Sequence, residues 1–213
     1  YAALVARRAA GEPIAYITGT REFFSLEFKV TPAVLIPRPE TELLVEKALQ
    51  WLETQNPGGL RAADVGTGSG CIAVALAKRL PAAEITGIDT SPDALEVATG
   101  NAKLHGVEKS VRFLQSDLLH ALPDSFTADA IVSNPPYIAS GELAKLPREV
   151  KDFEPVRALV AGEDGLEVIR RLVVEARRFL SPTGFVALEM GAGQRAAVEQ
   201  LFVGADYKVA QVL

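Results

Sequence analysis

The chain has 213 residues, 48% of them hydrophobic and 23% charged, with a formal net charge of -5 at pH 7. That is ordinary globular material, enough for one large domain, or one domain with an appendage, built round a sizeable core. The acidic balance supplies no global basic field for nucleic acid, no apolar run approaches membrane-spanning length, and a single cysteine, Cys71, excludes an intrachain disulfide and suits a reducing compartment.

In chain order, Tyr1 to Ala10 reads as the end of a helix, stopped by Gly11 and Pro13. Ile14 to Thr20 and Glu22 to Val30 read as two short strands of a hairpin, turning near Gly19-Thr20-Arg21. Residues 1–30 therefore read as a residual helix and β-hairpin linker, a small appendage to a main domain over 31–213. A helix is expected to start at Pro39 or Thr41 and to run through Leu43, Leu44, Val45, Ala48, Leu49 and Trp51, with Glu40 and Glu42 at its positive N-terminus. Asn56-Pro57-Gly58-Gly59 then breaks the chain.

From Leu60 onward strand and helix alternate. Strands are expected at Arg61–Val65, Glu84–Ile88, Val111–Leu114, Ala128–Ser133, Gly184–Glu189 and Tyr207–Leu213. Helices are expected at Cys71–Leu80, Pro92–Leu104, Leu166–Leu180 and Arg195–Phe202. Strands separated by helices imply parallel βαβ units and a doubly wound α/β sheet, whose ligands bind beyond the carboxyl ends of the strands.

Three of those strand ends carry polar signals. Gly66-Thr67-Gly68-Ser69-Gly70 follows the first strand as a Gly-x-Gly-x-Gly turn, with neither the dinucleotide spacing nor the Lys-Ser/Thr end of a phosphate-cradling loop. Such a turn suits a nucleoside. Asp89 ends the second strand; Ser91 and Pro92 already start the next helix, which leaves Asp89 to accept both hydroxyls of a ribose. Asp117 and Leu118 follow the third strand, Asp117 able to accept the exocyclic amine of adenine and Leu118 to lie against the base.

After the fourth strand stands Ser133-Asn134-Pro135-Pro136-Tyr137. Two prolines end the strand and stiffen the turn. They aim the Asn134 amide and the Pro135 carbonyl above the strand end, beside the Tyr137 ring. Two acceptors and a ring suit a planar –NH2 group. His105 and His120 sit in polar contexts and read as solvated, and Cys71 reads as a small buried hydrophobe.

With these motifs in place the chain resembles the S-adenosylmethionine-dependent methyltransferases that modify amino groups. The segments Gly11-Glu12-Pro13-Ile14-Ala15-Tyr16-Ile17-Thr18-Gly19, Glu22-Phe23-Phe24, Ile36-Pro37-Arg38-Pro39-Glu40-Thr41-Glu42 and Phe153-Glu154-Pro155 are similar to those of the peptide chain release factor glutamine-N5 methyltransferases. The resemblance implies a Rossmann-like class I methyltransferase domain over 31–213. It implies S-adenosylmethionine held by Gly66 to Gly70, Asp89, Asp117, Leu118 and Asn134, with S-adenosylhomocysteine as product. It implies catalysis at Asn134, Pro135 and Tyr137, a substrate site of Asn134, Pro135, Pro136, Tyr137 and Leu35, and no metal. The partners implied are class I release factors, whose Gly-Gly-Gln glutamine would be the acceptor. A cytoplasmic monomer that binds neither membrane nor nucleic acid directly is expected.

That family has a helical N-terminal domain, of which only the helix before Gly11 would be present here. Methyltransferases of this fold usually insert a last antiparallel strand beside the fifth, and none follows Leu213. The expectation is a fragment of a longer protein. Two rival readings remain: an amino-methyltransferase acting on adenine N6 or guanine N2 in nucleic acid, which would want basic residues and stacking aromatics round the site, and a non-catalytic binder of an adenosine compound.

Overall fold

The structure is a computed structural model that describes residues 1–54 and 59–213; the chain break expected at Asn56-Pro57-Gly58-Gly59 lies, except for Gly59, outside the described residues. The chain opens with α1 (Ala2–Ala9) and a single helical turn, α2 (Ile14–Thr18). A two-stranded antiparallel sheet follows, β1 (Thr20–Phe23) and β2 (Leu26–Lys29). This corrects the sequence reading, which made Ile14 to Thr20 a strand. Pro13 opens the helical turn and Gly19, left-handed at φ 78°, closes it, while the buried Tyr16 hydroxyl donates to the Val34 carbonyl. The hairpin turns at Phe24-Ser25, both at positive φ (53° and 58°), and not at Gly19-Thr20-Arg21.

The main sheet is built from β3 (Arg61–Val65), β4 (Glu84–Asp89), β5 (Val111–Gln115), β6 (Ala128–Ser133) and β7 (Leu180–Leu188). Its order is β5-β4-β3-β6-β7 and every neighbouring pair is parallel. Adjacent residues of the central strands serve opposite faces, as the strand period requires. Ala62, Ile85, Ala130 and Val132 join one core cluster with α3 (Glu40–Leu52) and α4 (Cys71–Arg79), while Ala63, Val65, Ile88 and Ile131 join the other. In α3 the buried Val45, Ala48, Leu49 and Leu52 repeat at helical spacing.

α5 (Pro92–Leu104) carries Asn101, whose side chain bonds both backbone groups of Lys29 and so ties the hairpin to the domain. Phe23 and Phe28 of the hairpin are buried in the first core cluster. His105 is only half exposed: its Nε2 lies 2.8 Å from the Glu27 carbonyl and its ring packs on Phe28, so it is not simply solvated. Between β6 and the next long helix run a 3-10 turn (Ser140–Lys145), α6 (Arg148–Lys151) and a second 3-10 turn (Val156–Ala158). Then α7 (Glu167–Phe179) buries Ile169, Leu172, Val173, Ala176 and Phe179 and turns its arginines outward.

The last two expected strands need correction. β7 starts at Leu180, four residues before Gly184, because a bulge between Ala128 and Ala130 absorbs Ser181 to Gly184. After α8 (Arg195–Gly204), residues 207–213 form no strand. Tyr207 instead packs edge-on against Phe202, lies under the Arg177 guanidinium and donates its hydroxyl to the Val173 carbonyl.

Candidate active site

Strand order reverses between β3 and β6, because β4 and β5 build outward on one side and β6 returns to the other. A crevice above the carboxyl ends follows from that topology. The turn after β3 and the turn after β6 face each other across it. Gly66 and Gly68 have φ of 75° and 53°. A Cβ at either would meet nothing nearer than 3.9 Å, so it would project into the crevice that the glycines keep open. Gly66 and Thr67 donate to the Ile88 carbonyl, and Gly68 donates to Asp89 Oδ2 at 2.9 Å. Beneath the turn Asp64 is fully buried, accepting from the Thr67 hydroxyl and the Ala73 amide. Burial pushes its carboxyl up to about 7, against the pull of those two donors.

On the opposite side, Ser133 Oγ donates to the Val65 carbonyl at 2.6 Å and locks the ends of β3 and β6 together. Asn134 Nδ2 donates to Thr41 Oγ1 at 3.0 Å, Thr41 donates to Glu189 Oε2 at 2.7 Å, and the Tyr137 hydroxyl donates to Glu189 Oε1 at 3.2 Å. Burial and the nearby Glu189 carboxylate push the Tyr137 phenol up to about 12, so it keeps its proton. Gln194 donates to the Tyr137 carbonyl at 3.0 Å. Gly165, at φ 74°, passes so close that a Cβ there would sit 2.3 Å from that carbonyl. Among the described residues neither Asn134 Oδ1 nor the Pro135 carbonyl receives a hydrogen bond.

Two cavities meet at this point. The first, of about 190 Å³, is walled by Gly66 to Ser69, Asp89, Asp117, Leu118 and Pro136. The second, of about 200 Å³, is walled by Pro135, Tyr137, Ile138, Leu146, Val150 and Leu159. Leu35, Arg38, Asn134 and Ala158 border both. The structure thus brings together every candidate site residue except Gly70, which borders neither cavity and packs on Ala98, where a Cβ would approach within 3.0 Å. Asp117 is exposed and paired with Arg171 at 2.7 Å, at the rim of the first cavity. Leu118 beside it is buried with φ 48°, a conformation a leucine adopts only when its surroundings impose it.

The first cavity fits an adenosine compound in its acceptors and its apolar wall. Each Asp89 oxygen accepts one backbone N–H, from Gly68 or Ser91, and retains a lone pair, and the side chain borders the cavity. Leu118, Val65 and Ile88 supply an apolar wall. Three further site residues were not assigned a role from sequence. Thr41 read as a helix start, and Glu189 as a strand end; an acidic residue ending an apolar strand was the available signal. Glu154 is buried and bonded to Arg38 at 2.7 Å, and burial holds its carboxyl above the usual range despite that guanidinium.

A family profile described as "Methyltransferase small domain" matches residues 40–147. The release factor glutamine methyltransferase of Nitratidesulfovibrio vulgaris is 46% identical over 202 residues, which cover 95% of this chain and 68% of that protein. The protein of the same name from Moorella thermoacetica is 48% identical over 209 residues, covering 97% and 72%. In fold, a methyltransferase from Pyrococcus furiosus superposes with a TM-score of 0.63 at 21% identity, over 100% of this chain and 91% of that one.

Proposed function

The chain belongs to the release factor glutamine methyltransferases, and we propose that it transfers a methyl group from S-adenosylmethionine to the side-chain amide nitrogen of the Gly-Gly-Gln glutamine in class I peptide chain release factors. The observation that carries this reading is the meeting of the two cavities at Asn134. One cavity has the carboxylate acceptors and apolar wall that an adenosine needs. The other is walled largely by apolar side chains and borders Asn134 and Pro135, whose Oδ1 and carbonyl oxygen receive no hydrogen bond among the described residues, which suits one neutral amide side chain. Residues 31–213 are the cofactor-binding domain in this reading, and residues 1–30 the linker before it.

When bound, S-adenosylmethionine supplies a sulfonium-activated methyl group and leaves as S-adenosylhomocysteine, the electron pair of the broken C–S bond remaining on sulfur. The residues of this chain handle the acceptor. Its amide nitrogen is a poor nucleophile because its lone pair is shared with the carbonyl. Asn134 Oδ1 and the Pro135 carbonyl accept its two N–H bonds and hold the nitrogen toward the first cavity. As the N–C bond forms, positive charge grows on nitrogen, and both acceptors stabilise it. The proton then leaves the methylated nitrogen, by now strongly acidic, for water. Tyr137 keeps its ring against the amide plane, and Leu35 borders the junction on both sides. Positioning supplies much of the remaining rate.

The test is incubation with methyl-labelled S-adenosylmethionine and three acceptors: a class I release factor, duplex DNA and ribosomal RNA. Label on the release factor, mapped by mass spectrometry to the Gly-Gly-Gln glutamine and absent when that residue is replaced, is the expected result. Label on an adenine or guanine amino group instead would overturn the proposal in favour of a nucleic-acid methyltransferase.

A further inference from the structure

Asn134 can serve as an acceptor only if its oxygen, and not its nitrogen, faces the substrate. The two ends of a carboxamide are nearly the same size, so packing alone does not choose between them. The hydrogen-bond chain behind Asn134 does. Glu189 Oε2 lies 2.7 Å from Thr41 Oγ1, and an ionised carboxylate only accepts. The one proton of Thr41 is therefore committed to Glu189. Its oxygen can then only accept from Asn134, at 3.0 Å, which turns Nδ2 inward and Oδ1 toward the junction of the cavities. The other Glu189 oxygen accepts a hydrogen bond from the Tyr137 hydroxyl, and the Glu189 backbone amide donates to the Ser133 carbonyl, which fastens the residue to the end of β6.

We propose that Thr41 and Glu189 are positioning residues that set the polarity of the Asn134 amide, and through it the choice of nitrogen over oxygen in the substrate amide. This rests on the reading of Asn134 as the acceptor for that amide. The substrate carboxamide has the same two-faced ambiguity, and its oxygen is intrinsically the better nucleophile. An outward Asn134 oxygen attracts the –NH2 end and repels the carbonyl end. A reversed Asn134 would do the opposite.

The test uses Thr41→Val, Thr41→Ser and Glu189→Gln in the full chain, with release-factor turnover, S-adenosylmethionine affinity and thermal melting measured for each. Valine matches threonine in shape but ends the relay; serine keeps the hydroxyl and opens a small void. Glutamine replaces one of the two carboxylate acceptors with an –NH2 donor, so the chain direction is no longer fixed. Thr41→Val and Glu189→Gln should lower kcat about 10- to 100-fold, with cofactor affinity within about twofold of the parent, whereas Thr41→Ser should keep kcat within about threefold. Thr41 is only 2% exposed, so a purely packing role predicts the reverse order, with valine the milder change. Wild-type turnover on the release factor is read first. Its absence overturns the reading of the site and this inference with it; wild-type turnover with undiminished kcat in Thr41→Val, or in Glu189→Gln should the valine variant not fold, overturns the inference alone.

Discussion

The Gly68 amide donates to Asp89 Oδ2 at 2.9 Å, so the carboxylate that ends β4 also fixes the shape of the glycine turn after β3. Its other oxygen takes the Ser91 amide at 2.9 Å. The acidic side chain is thus aimed before any ligand arrives. Asp89→Ala should weaken S-adenosylmethionine and S-adenosylhomocysteine alike, by roughly 1.5–3 kcal/mol, because both carry the same ribose and both lose charge-assisted hydrogen bonds. Calorimetry showing unchanged affinity for either compound would remove Asp89 from the site.

Asn134→Ala separates binding from chemistry. Its side chain is anchored by Thr41 on one side and faces the cavity junction on the other. Loss of one preorganised acceptor should raise the barrier by on the order of 3 kcal/mol, a kcat loss of roughly 100-fold or more. Cofactor affinity should remain close to that of the parent protein, since Asn134 makes at most a secondary contact to the cofactor's methionine part. Near-normal turnover in the alanine variant would sink the assignment.

Asp89 and Asn134 were legible in the sequence because their meaning is local: each ends a recognisable strand, and strand ends converge in a parallel sheet. The partners were not. Thr41 and Glu189 are 148 residues apart, and Arg38 and Glu154 are 116 apart. Only the placement of β7 beside β6, and of the loop before α7 over the cleft, brings them together. Local errors had local causes. Ile14 and Tyr16 alternate with smaller neighbours and carry strand-like side chains, yet Pro13 and Gly19 leave room for only one helical turn. The hairpin turn at Phe24-Ser25 contains no glycine to announce it. Ser181-Pro182-Thr183-Gly184 looks like a turn, and is absorbed by a bulge instead.

Asp64 gives the protein a pH-dependent stability that can be signed. Its carboxyl sits at about 7 in the folded chain, raised from 3.8 chiefly by burial. Below pH 4 both states carry the proton. Between about pH 4 and pH 7 the unfolded chain has released it and the folded chain has not, so stability falls as pH rises, by on the order of 4 kcal/mol across the window. Asp64→Asn keeps an oxygen for Thr67 and Ala73 but has no proton to lose. The parent minus variant difference in unfolding free energy should decline from pH 4 to pH 7 and then level off. A difference that stays flat across that range means that Asp64 is ionised throughout.

The clasp between Arg38 and Glu154 should be worth more to the site than its single bond suggests. The Glu154 side chain is 2% exposed and that of Arg38 31%, so the pair bridges the interior and the cavity wall. Burial raises the Glu154 carboxyl above its ordinary range, and the Arg38 guanidinium is the largest opposing influence. Arg38→Ala removes that opposition and leaves a carboxylate in a dry site. The expected loss is about 2–4 kcal/mol, below the full buried-pair value because Arg38 still touches water. The sign of the pH effect follows: the folded carboxyl holds its proton to still higher pH in the variant, so the loss should shrink as pH falls. Replacing the carboxylate as well, in Arg38→Ala with Glu154→Gln, should recover part of the stability at pH 7, since a neutral amide tolerates the pocket that the lone charge does not. Turnover should not recover with it, because Arg38 borders both cavities and its removal widens the junction at Asn134. A double variant no more stable than Arg38→Ala, measured by urea unfolding at pH 7, would show that the carboxylate is not what Arg38 compensates.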